Sequence, residues 1–340
     1  MDNLFISIII PCRNEEKFIG KCLDSIITQD YPKDKLEVLL VDGMSNDGTR
    51  EIIIEYQRRY PFIKLLDNPK LYTPSGLNIG IKKSNGDIIL RLDAHCEYPY
   101  NYISKCVYWL ERSNADNVGG ILLIKPGRET LIAEAISITL STFFGVGNSY
   151  FRIGSKDLRY VDTVPFGCYK REVFDKIGLF NENLVRNQDI EFNLRLRRSG
   201  GKILLVPDII SYYYARPDLK SLFNQNFWNG FWVIYSLRFA RLPFSIRHLV
   251  PAVFVLSLFL SFLVSLWIRP ASYLFLFILG SYVLTNLLFS LKLSIKNGFR
   301  YLIPLILSFS TLHFSYGLGS IWGITKLVMG KFNKKEAKNV

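Results

Sequence analysis

The chain alternates short apolar runs with amphipathic stretches over its first two hundred residues, and then turns almost continuously apolar. Phe5–Pro11 is β-branched and apolar and predicts a first strand. Glu15–Thr28 carries Phe18, Cys22, Ile26 and Ile27 at helical spacing. Leu36–Val41 predicts a second strand, Arg50–Tyr60 a helix, Phe62–Leu66 a third strand, Ser75–Ser84 a helix and Asp87–Leu92 a fourth strand. Strands alternating with helices at this spacing predict βαβ units around a mostly parallel sheet. Glu129–Phe144 predicts an amphipathic helix, with Glu134 arguing against a membrane span. Asn187–Ser199 predicts a further helix capped by Asn187, with Asp189 in its first turn.

Beyond this the pattern changes. Phe223, Phe227, Phe231, Tyr235 and Phe239 recur every four residues, thickened by Trp228 and Trp232. That stripe fits a core-facing helix or, more closely, one lying at a membrane interface, because an apolar run follows almost at once. Leu249–Ile268 and Ala271–Leu291 each approach the ~20 residues that cross a bilayer core, with a tight turn expected at Arg269-Pro270. Tyr301–Val328 is a third apolar stretch interrupted by Pro304 and His313, with a crossing, a re-entrant and an interfacial form all open. The expected division is a catalytic domain at 1–215, an interfacial helix region at 216–247, a membrane domain at 248–330 and a basic tail at 331–340.

Composition sharpens this picture at two points. The formal net charge is +13, and many of the cations border the apolar runs: Arg238, Arg241, Arg247, Lys292, Lys296, Arg300, Lys326, Lys331, Lys334, Lys335 and Lys338. Basic flanks favour the cytoplasmic leaflet and its anionic lipids. They make membrane lipid the expected partner rather than nucleic acid, for which no motif is present. The five cysteines (Cys12, Cys22, Cys96, Cys106, Cys168) are scattered without a C-x-x-C, which fits a reducing compartment better than a disulfide framework. No signal-peptide pattern precedes the first strand.

Four polar clusters fall at predicted strand ends or loops: Pro11-Cys-Arg-Asn-Glu15, Asp42 with Asp47, Asp93-Ala-His95, and Asn187-Gln-Asp-Ile-Glu191. Open α/β sheets bind ligands at the carboxyl ends of their strands. A carboxylate and an imidazole there suit a hard divalent cation such as Mg²⁺ or Mn²⁺. No G-x-x-x-x-G-K-[ST] or G-x-G-x-x-G occurs, so P-loop and dinucleotide sites lack support.

Taken in order, Ser7-Ile-Ile-Ile-Pro-Cys-Arg-Asn-Glu-Glu16, Val41-Asp-Gly-Met-Ser-Asn-Asp-Gly-Thr49, Asp93-Ala-His95 and Asn187-Gln-Asp-Ile-Glu-Phe-Asn-Leu-Arg-Leu-Arg-Arg198 resemble family 2 glycosyltransferases of the GT-A fold. Phe144-Gly-Val-Gly147, Val161-Asp-Thr-Val-Pro-Phe-Gly167 and Val185-Arg-Asn-Gln-Asp189 look like the succinoglycan-type, membrane-associated branch. The resemblance implies an inverting transferase that moves a hexose from a nucleotide-diphospho-sugar donor, expected to be UDP-linked, to a polyprenyl-linked glycan. The catalytic domain would stand on the cytoplasmic side of a multi-pass membrane anchor. A polyprenyl-phosphate sugar synthase and a non-catalytic membrane scaffold are the alternatives.

By the same resemblance Pro11, Arg13 and Glu15 line the nucleotide pocket, Asp42 accepts a hydrogen bond from the base, and Asp93 holds the metal, or the sugar and metal together. The family pattern there is Asp-x-Asp; His95 stands in the last place, as a metal ligand or a phosphate contact. Asp189 would be the general base, with Gln188 and Glu191 in support. Asp47 fits a helix cap, and Arg195 and Arg198 fit ion pairs along their own helix. Gln225-Asn-Phe-Trp228 only partly echoes the Gln-x-x-Arg-Trp of processive relatives, which favours single additions over polymerisation.

Overall fold

The computed structural model describes residues 4–240 and 245–330; Arg241 and the basic tail from Lys331 lie outside them. In chain order the elements are β1 (Ile6–Cys12), α1 (Ile19–Ile27), β2 (Leu36–Asp42), α2 (Thr49–Arg59), β3 (Ile63–Asp67), α3 (Thr73–Lys83), β4 (Ile88–Arg91), β5 (Cys96–Glu97), α4 (Tyr102–Arg112), β6 (Asn117–Lys125), α5 (Leu131–Leu140), α6 (Phe143–Val146), α7 (Tyr150–Ile153), β7 (Arg159–Tyr160), β8 (Cys168–Lys170), α8 (Glu172–Ile177), α9 (Gln188–Arg198), β9 (Ile203–Tyr214), α10 (Leu219–Tyr235), α11 (Val250–Ser265), α12 (Arg269–Asn297) and α13 (Leu302–Met329). They form two units. One holds residues 1–123 and 150–214, the other 124–149 and 215–340, so the segment from Ile124 to Ser149 leaves the sheet-bearing unit and groups with the C-terminal helices.

In the first unit the described strands make one sheet, in the order β3-β2-β1-β4-β8-β6-β9-β5, with β7 on β9. β3, β2, β1 and β4 are mutually parallel. The β4–β8, β8–β6, β9–β5 and β9–β7 pairs are antiparallel. A mostly parallel sheet is therefore correct for the N-terminal half, while the whole is mixed. The parallel strands read as continuous apolar runs because both of their faces are covered. Ile8, Ile10, Val38 and Leu40 pack with Ile19, Ile53 and Ile103 on one face, and Ile9, Val41 and Ile89 pack with Leu77, Val173 and Phe192 on the other. The chain runs from β1 outward to β3 and then returns to place β4 on the other side of β1. The crevice at the carboxyl ends of β1 and β4 is thus the topological switch point where such sheets bind ligands.

The second unit corrects three readings of the apolar half. The first expected span is only the 16-residue α11, short of the ~20 residues a crossing needs. Arg269 and Pro270 open α12 rather than making a turn; proline is tolerated at a helix start, where its missing N–H has no partner to lose. The third stretch is one continuous helix, because Pro304 falls in the first turn of α13. Among the described residues, the helices long and apolar enough to cross a membrane are α12 and the Phe299–Met329 stretch containing α13, with mean hydropathy 2.0 and 1.3. Only 11% of the apolar stretch of α12 is buried, unlike the core helix of a soluble domain.

The aromatic stripe of α10 divides. Phe231, Trp232 and Tyr235 are buried and Phe223 is exposed. α10 and α13 touch backbone to backbone: a Cβ on Gly319 would fall 1.8 Å from the Phe227 carbonyl oxygen, and Ser320 Oγ donates to Gly230 O (3.2 Å). Glu134 on α5 accepts from Tyr301 OH, and Ala135 packs on Leu305 and Phe309. Phe144, from the Phe-Gly-Val-Gly stretch, stacks on Phe289 at 4.7 Å.

Candidate functional site

The loops after β1 and β2 are laced together. Asn14 N donates to Ser45 Oγ (2.9 Å), Asn46 N to Asn14 Oδ1 (3.0 Å) and Glu15 N to Thr49 Oγ1 (2.8 Å). Asn14 and Met44 hold positive φ values of 55° and 54°, a conformation costing non-glycine residues about 1–3 kcal/mol each. Gly43 is required between them: a Cβ there would sit 2.9 Å from Leu71 O and 3.2 Å from Arg13 Cβ. Arg13 is thereby laid over the end of β2, and Pro11 borders the start of α3 at Gly76.

Asp42 has no exposed side-chain surface. Its carboxylate accepts from Ser45 N (3.0 Å), Ser45 Oγ and Arg50 Nη1 (2.6 Å), and Arg50 continues to Asp67 (2.8 Å). A direct bond from a base to Asp42 has no surface to use in this arrangement. The Asp42 carboxylate is thus engaged within the protein and orders the loop at Ser45. Arg50 and Asp67 were not singled out from sequence; the signal was an arginine one turn beyond an acidic strand end. Asp47 accepts from Thr49 N (3.1 Å) and Thr49 Oγ1 (2.5 Å) and from Glu16 N (3.3 Å), as a cap on α2. Slight burial opposes the charge on Asp47, and these hydrogen bonds outweigh it, holding the carboxyl below its ordinary range.

Across the switch point, β4 delivers Asp93 and His95. The Asp93 backbone is pinned by Tyr98 OH, which receives from Asp93 N (2.9 Å) and donates to Asp93 O (3.2 Å). Tyr98 is held edge-on by Phe166 at 5.6 Å, and Phe166 takes φ 47°. His95 Nδ1 lies 3.2 Å from Glu15 Oε1, which joins the β1 loop to the β4 end. Metal-binding imidazoles commonly hold a carboxylate on their other ring nitrogen, and His95 and Glu15 present such a pair.

The residue that gathers the site was not predicted. Arg91, the last residue of β4, is buried; its Nη2 bonds Asp93 Oδ1 (2.8 Å) and its Nη1 stands 3.8 Å from Asp189 Oδ2. Burial disfavours its charge, but Asp93 and then Asp189 hold the proton on more firmly than usual. Its position inside an apolar run was the available signal. Arg152 on α7 also feels Asp189 and lies 5.9 Å over the Tyr213 ring; burial pulls its pKa down against the opposing pull of Tyr213 and Asp189.

Asp189 sits in the first turn of α9. Asn187 precedes the helix at φ 59° and its side chain makes no capping bond, so the capping expectation fails; a left-handed residue cannot offer the extended geometry an N-cap uses. α9 is fixed instead by Phe192 against Phe180 (4.4 Å) and by Asn193, which donates to Thr163 and accepts from Asn117. Gln188 and Glu191 are buried. Glu191 is held by Arg195 (2.6 and 3.0 Å), whose other bonds go to Ile177 O and Leu179 O (2.8 Å). Glu191 is thus a fastener of α9 rather than a partner of Asp189, and the ion-pair reading of Arg195 is correct.

Among the described residues no group of three or more His, Cys, Asp or Glu side chains gathers into a metal cage. Asp93 is partly buried at 22% side-chain exposure, and the Glu15–His95 pair stands on the neighbouring loops. Mg²⁺ and Mn²⁺ are commonly held by one or two carboxylates, substrate phosphates and water. The residues present fit a site of that open kind.

Residues 7–178 match the pattern of glycosyl transferase family 2, just over half the chain. The chain belongs to glycosyl transferase family 2. This family 2 glycosyltransferase is 35% identical over 229 residues (65% of this chain, 70% of the relative) to the dolichyl N-acetyl-α-D-glucosaminyl phosphate 3-β-D-2,3-diacetamido-2,3-dideoxy-β-D-glucuronosyltransferase of Methanococcus voltae. It is 28% identical over 225 residues (66% and 67%) to the succinoglycan biosynthesis protein ExoA of Rhizobium meliloti. The mannosyltransferase PcManGT from Pyrobaculum calidifontis, solved with GDP-Man and Mn²⁺, superposes with a TM-score of 0.59 over 97% of this chain and 88% of its own, at 17% identity. That likeness shows the GT-A fold.

Proposed function

We propose that this enzyme is an inverting hexosyltransferase that takes its sugar from a nucleotide-diphospho-sugar, UDP-linked by expectation, and places it on a polyprenyl-linked glycan. The observation that carries the reading is that Asp93 and Asp189, far apart in sequence, meet on the one guanidinium of Arg91. A donor-side carboxylate and an acceptor-side carboxylate are what a single displacement needs. The relative named for a dolichyl-linked substrate supports the acceptor class, and the one named for succinoglycan biosynthesis supports a role in polysaccharide assembly.

The nucleotide lies against the laced loops of Arg13, Glu15 and the segment ordered by Asp42. Asp93, with His95 beside it, would hold a divalent cation, and such an ion would offset negative charge on the diphosphate leaving group. Asp189 accepts the proton of the acceptor hydroxyl; the oxygen forms its bond to the anomeric carbon as the bond to the diphosphate breaks, inverting that centre. Gln188 and Glu191 keep the start of α9 in place. The apolar helices hold the enzyme in a membrane as a multi-pass protein with its site on the cytoplasmic side, where a polyprenyl acceptor is confined to the same surface.

The test is product analysis with protein in lipid nanodiscs, a polyprenyl-linked oligosaccharide and bare polyprenyl phosphate offered together. Sugar on the oligosaccharide is the expected result. Sugar on polyprenyl phosphate would replace the acceptor assignment with the synthase alternative.

A further inference from the structure

Arg91 occupies a place that the fold would fill with an apolar side chain. Ile88, Ile89 and Leu90 before it and Leu92 after it are buried, and Arg91 itself is 9% exposed. Its Nε is buried and has no hydrogen-bond partner among the described residues. A buried guanidinium with an unmet donor is unfavourable for folding, so a purely structural strand end gains nothing from it. What the arginine does gain is two carboxylates at once, Asp93 at 2.8 Å and Asp189 at 3.8 Å. The strand fixes where it starts, since Arg91 pairs with Ile9 of β1 and donates its backbone N–H to Gly167 O (3.1 Å).

We propose that Arg91 is the positioning residue of the transfer site: one rigid fork that sets the Asp93 and Asp189 carboxylates in a common frame and competes with the divalent cation for Asp93. The proposal rests on the donor-side and acceptor-side roles given above. Arginine suits the task and lysine does not. The guanidinium is planar and reaches two carboxylates with separate N–H groups, whereas an ammonium is a point charge that satisfies one. Before donor arrives, Arg91 offsets the charge of both acids. A cation on Asp93 then has to share that carboxylate with Arg91, which keeps cation affinity moderate.

Three proteins decide it: wild type, Arg91→Met and Arg91→Lys, each in nanodiscs. Mn²⁺ binding is read by electron paramagnetic resonance in the presence of nucleoside diphosphate and without acceptor, and transfer is measured separately as kcat. For Arg91→Met the expected result is Mn²⁺ bound about 3- to 10-fold more tightly, with kcat down about 100-fold. A kcat equal to wild type overturns the proposal, and so does a lower kcat with weaker Mn²⁺ binding, which marks a collapsed site. If Arg91→Met does not fold, Arg91→Lys decides. Wild-type Mn²⁺ affinity with kcat at least about 10-fold lower supports the two-carboxylate frame, and full kcat overturns it. Failure of the underlying reading looks different: wild type itself would bind no Mn²⁺ with nucleotide, or Asp189→Asn would transfer normally.

Discussion

The two units of this chain are built for different surroundings. In the sheet unit apolar side chains are inside: Ile6, Ile8, Ile9, Ile10 and Val38 have no exposed surface. The helical unit has a buried apolar core too, including Phe231, Trp232, Leu305 and Phe309, but its exterior is also apolar and polar side chains are buried between its helices. Trp267 (79% exposed), Tyr273 and Phe277 face outward, while Asn286, Ser290, Ser294, Ser308, Ser315 and Ser320 are buried. Asn286 donates to Ile306 O and Ser310 Oγ, joining α12 to α13 by polar contacts within an apolar exterior. Water drives the first arrangement by the hydrophobic effect. Lipid makes the second favourable, because packing and hydrogen bonds then hold helices together. The two units thus follow different packing patterns, one with its apolar side chains inside and one with apolar side chains also on its surface.

The sharpest break of this comparison lies in the sheet unit. Asp189→Asn should lower transfer by about 10²- to 10⁴-fold while Mn²⁺ and donor binding stay unchanged, the range general bases contribute. Rate assays beside donor titration check it, and normal turnover would remove Asp189 from the mechanism. In the helical unit, Leu284→Arg replaces an exposed side chain near the middle of α12. In bilayer this costs about 2.5–3.5 kcal/mol of insertion and should shift protein out of the carbonate-resistant membrane fraction. On a water-facing helix the same change would do nothing.

Packing inside the helical unit gives a third test. Gly319→Val should cost about 1–3 kcal/mol, seen as a lower unfolding temperature in detergent, because its Cβ has no room beside Phe227 O. Gly280→Ala on α12 meets nothing within 4 Å and should be neutral or slightly stabilising. The smallest effect is expected from Asp47→Ala, about 1 kcal/mol of stability with nucleotide binding retained, as for loss of a cap. Because the folded state holds the Asp47 carboxyl below its ordinary value, its contribution is complete above pH ~4 and is lost as pH falls through the folded pKa. Denaturant melts at neutral pH and at pH ~3 should show the variant's deficit shrinking.

Much of the sheet was legible in the sequence because a strand buried on both faces needs an unbroken apolar run, as at Ile6–Ile10 and Leu36–Val41. β5, β7 and β8, at two or three residues each, carry no period to read. Of the site, Asp93, His95 and Asp189 stood out as charged residues where a strand ends or a helix begins. Arg91 did not, since its partners are set by tertiary approach and the surrounding run looks like core. Asp42 stood out as a carboxylate at a strand end, but its bonds to Ser45 and Arg50 depend on how the following loop folds back. The length of α11 was overread because an apolar run does not reveal where the helix itself stops.

The most direct test of the central claim is donor binding by the purified protein in nanodiscs, with a panel of UDP- and GDP-sugars titrated in Mn²⁺, in Mg²⁺ and in EDTA. The account predicts that one nucleotide class binds, that binding is at least about 10-fold weaker in EDTA, and that Asp93→Ala removes the difference. Binding that is indifferent to the cation and to Asp93, or no nucleotide-sugar binding at all, would contradict it.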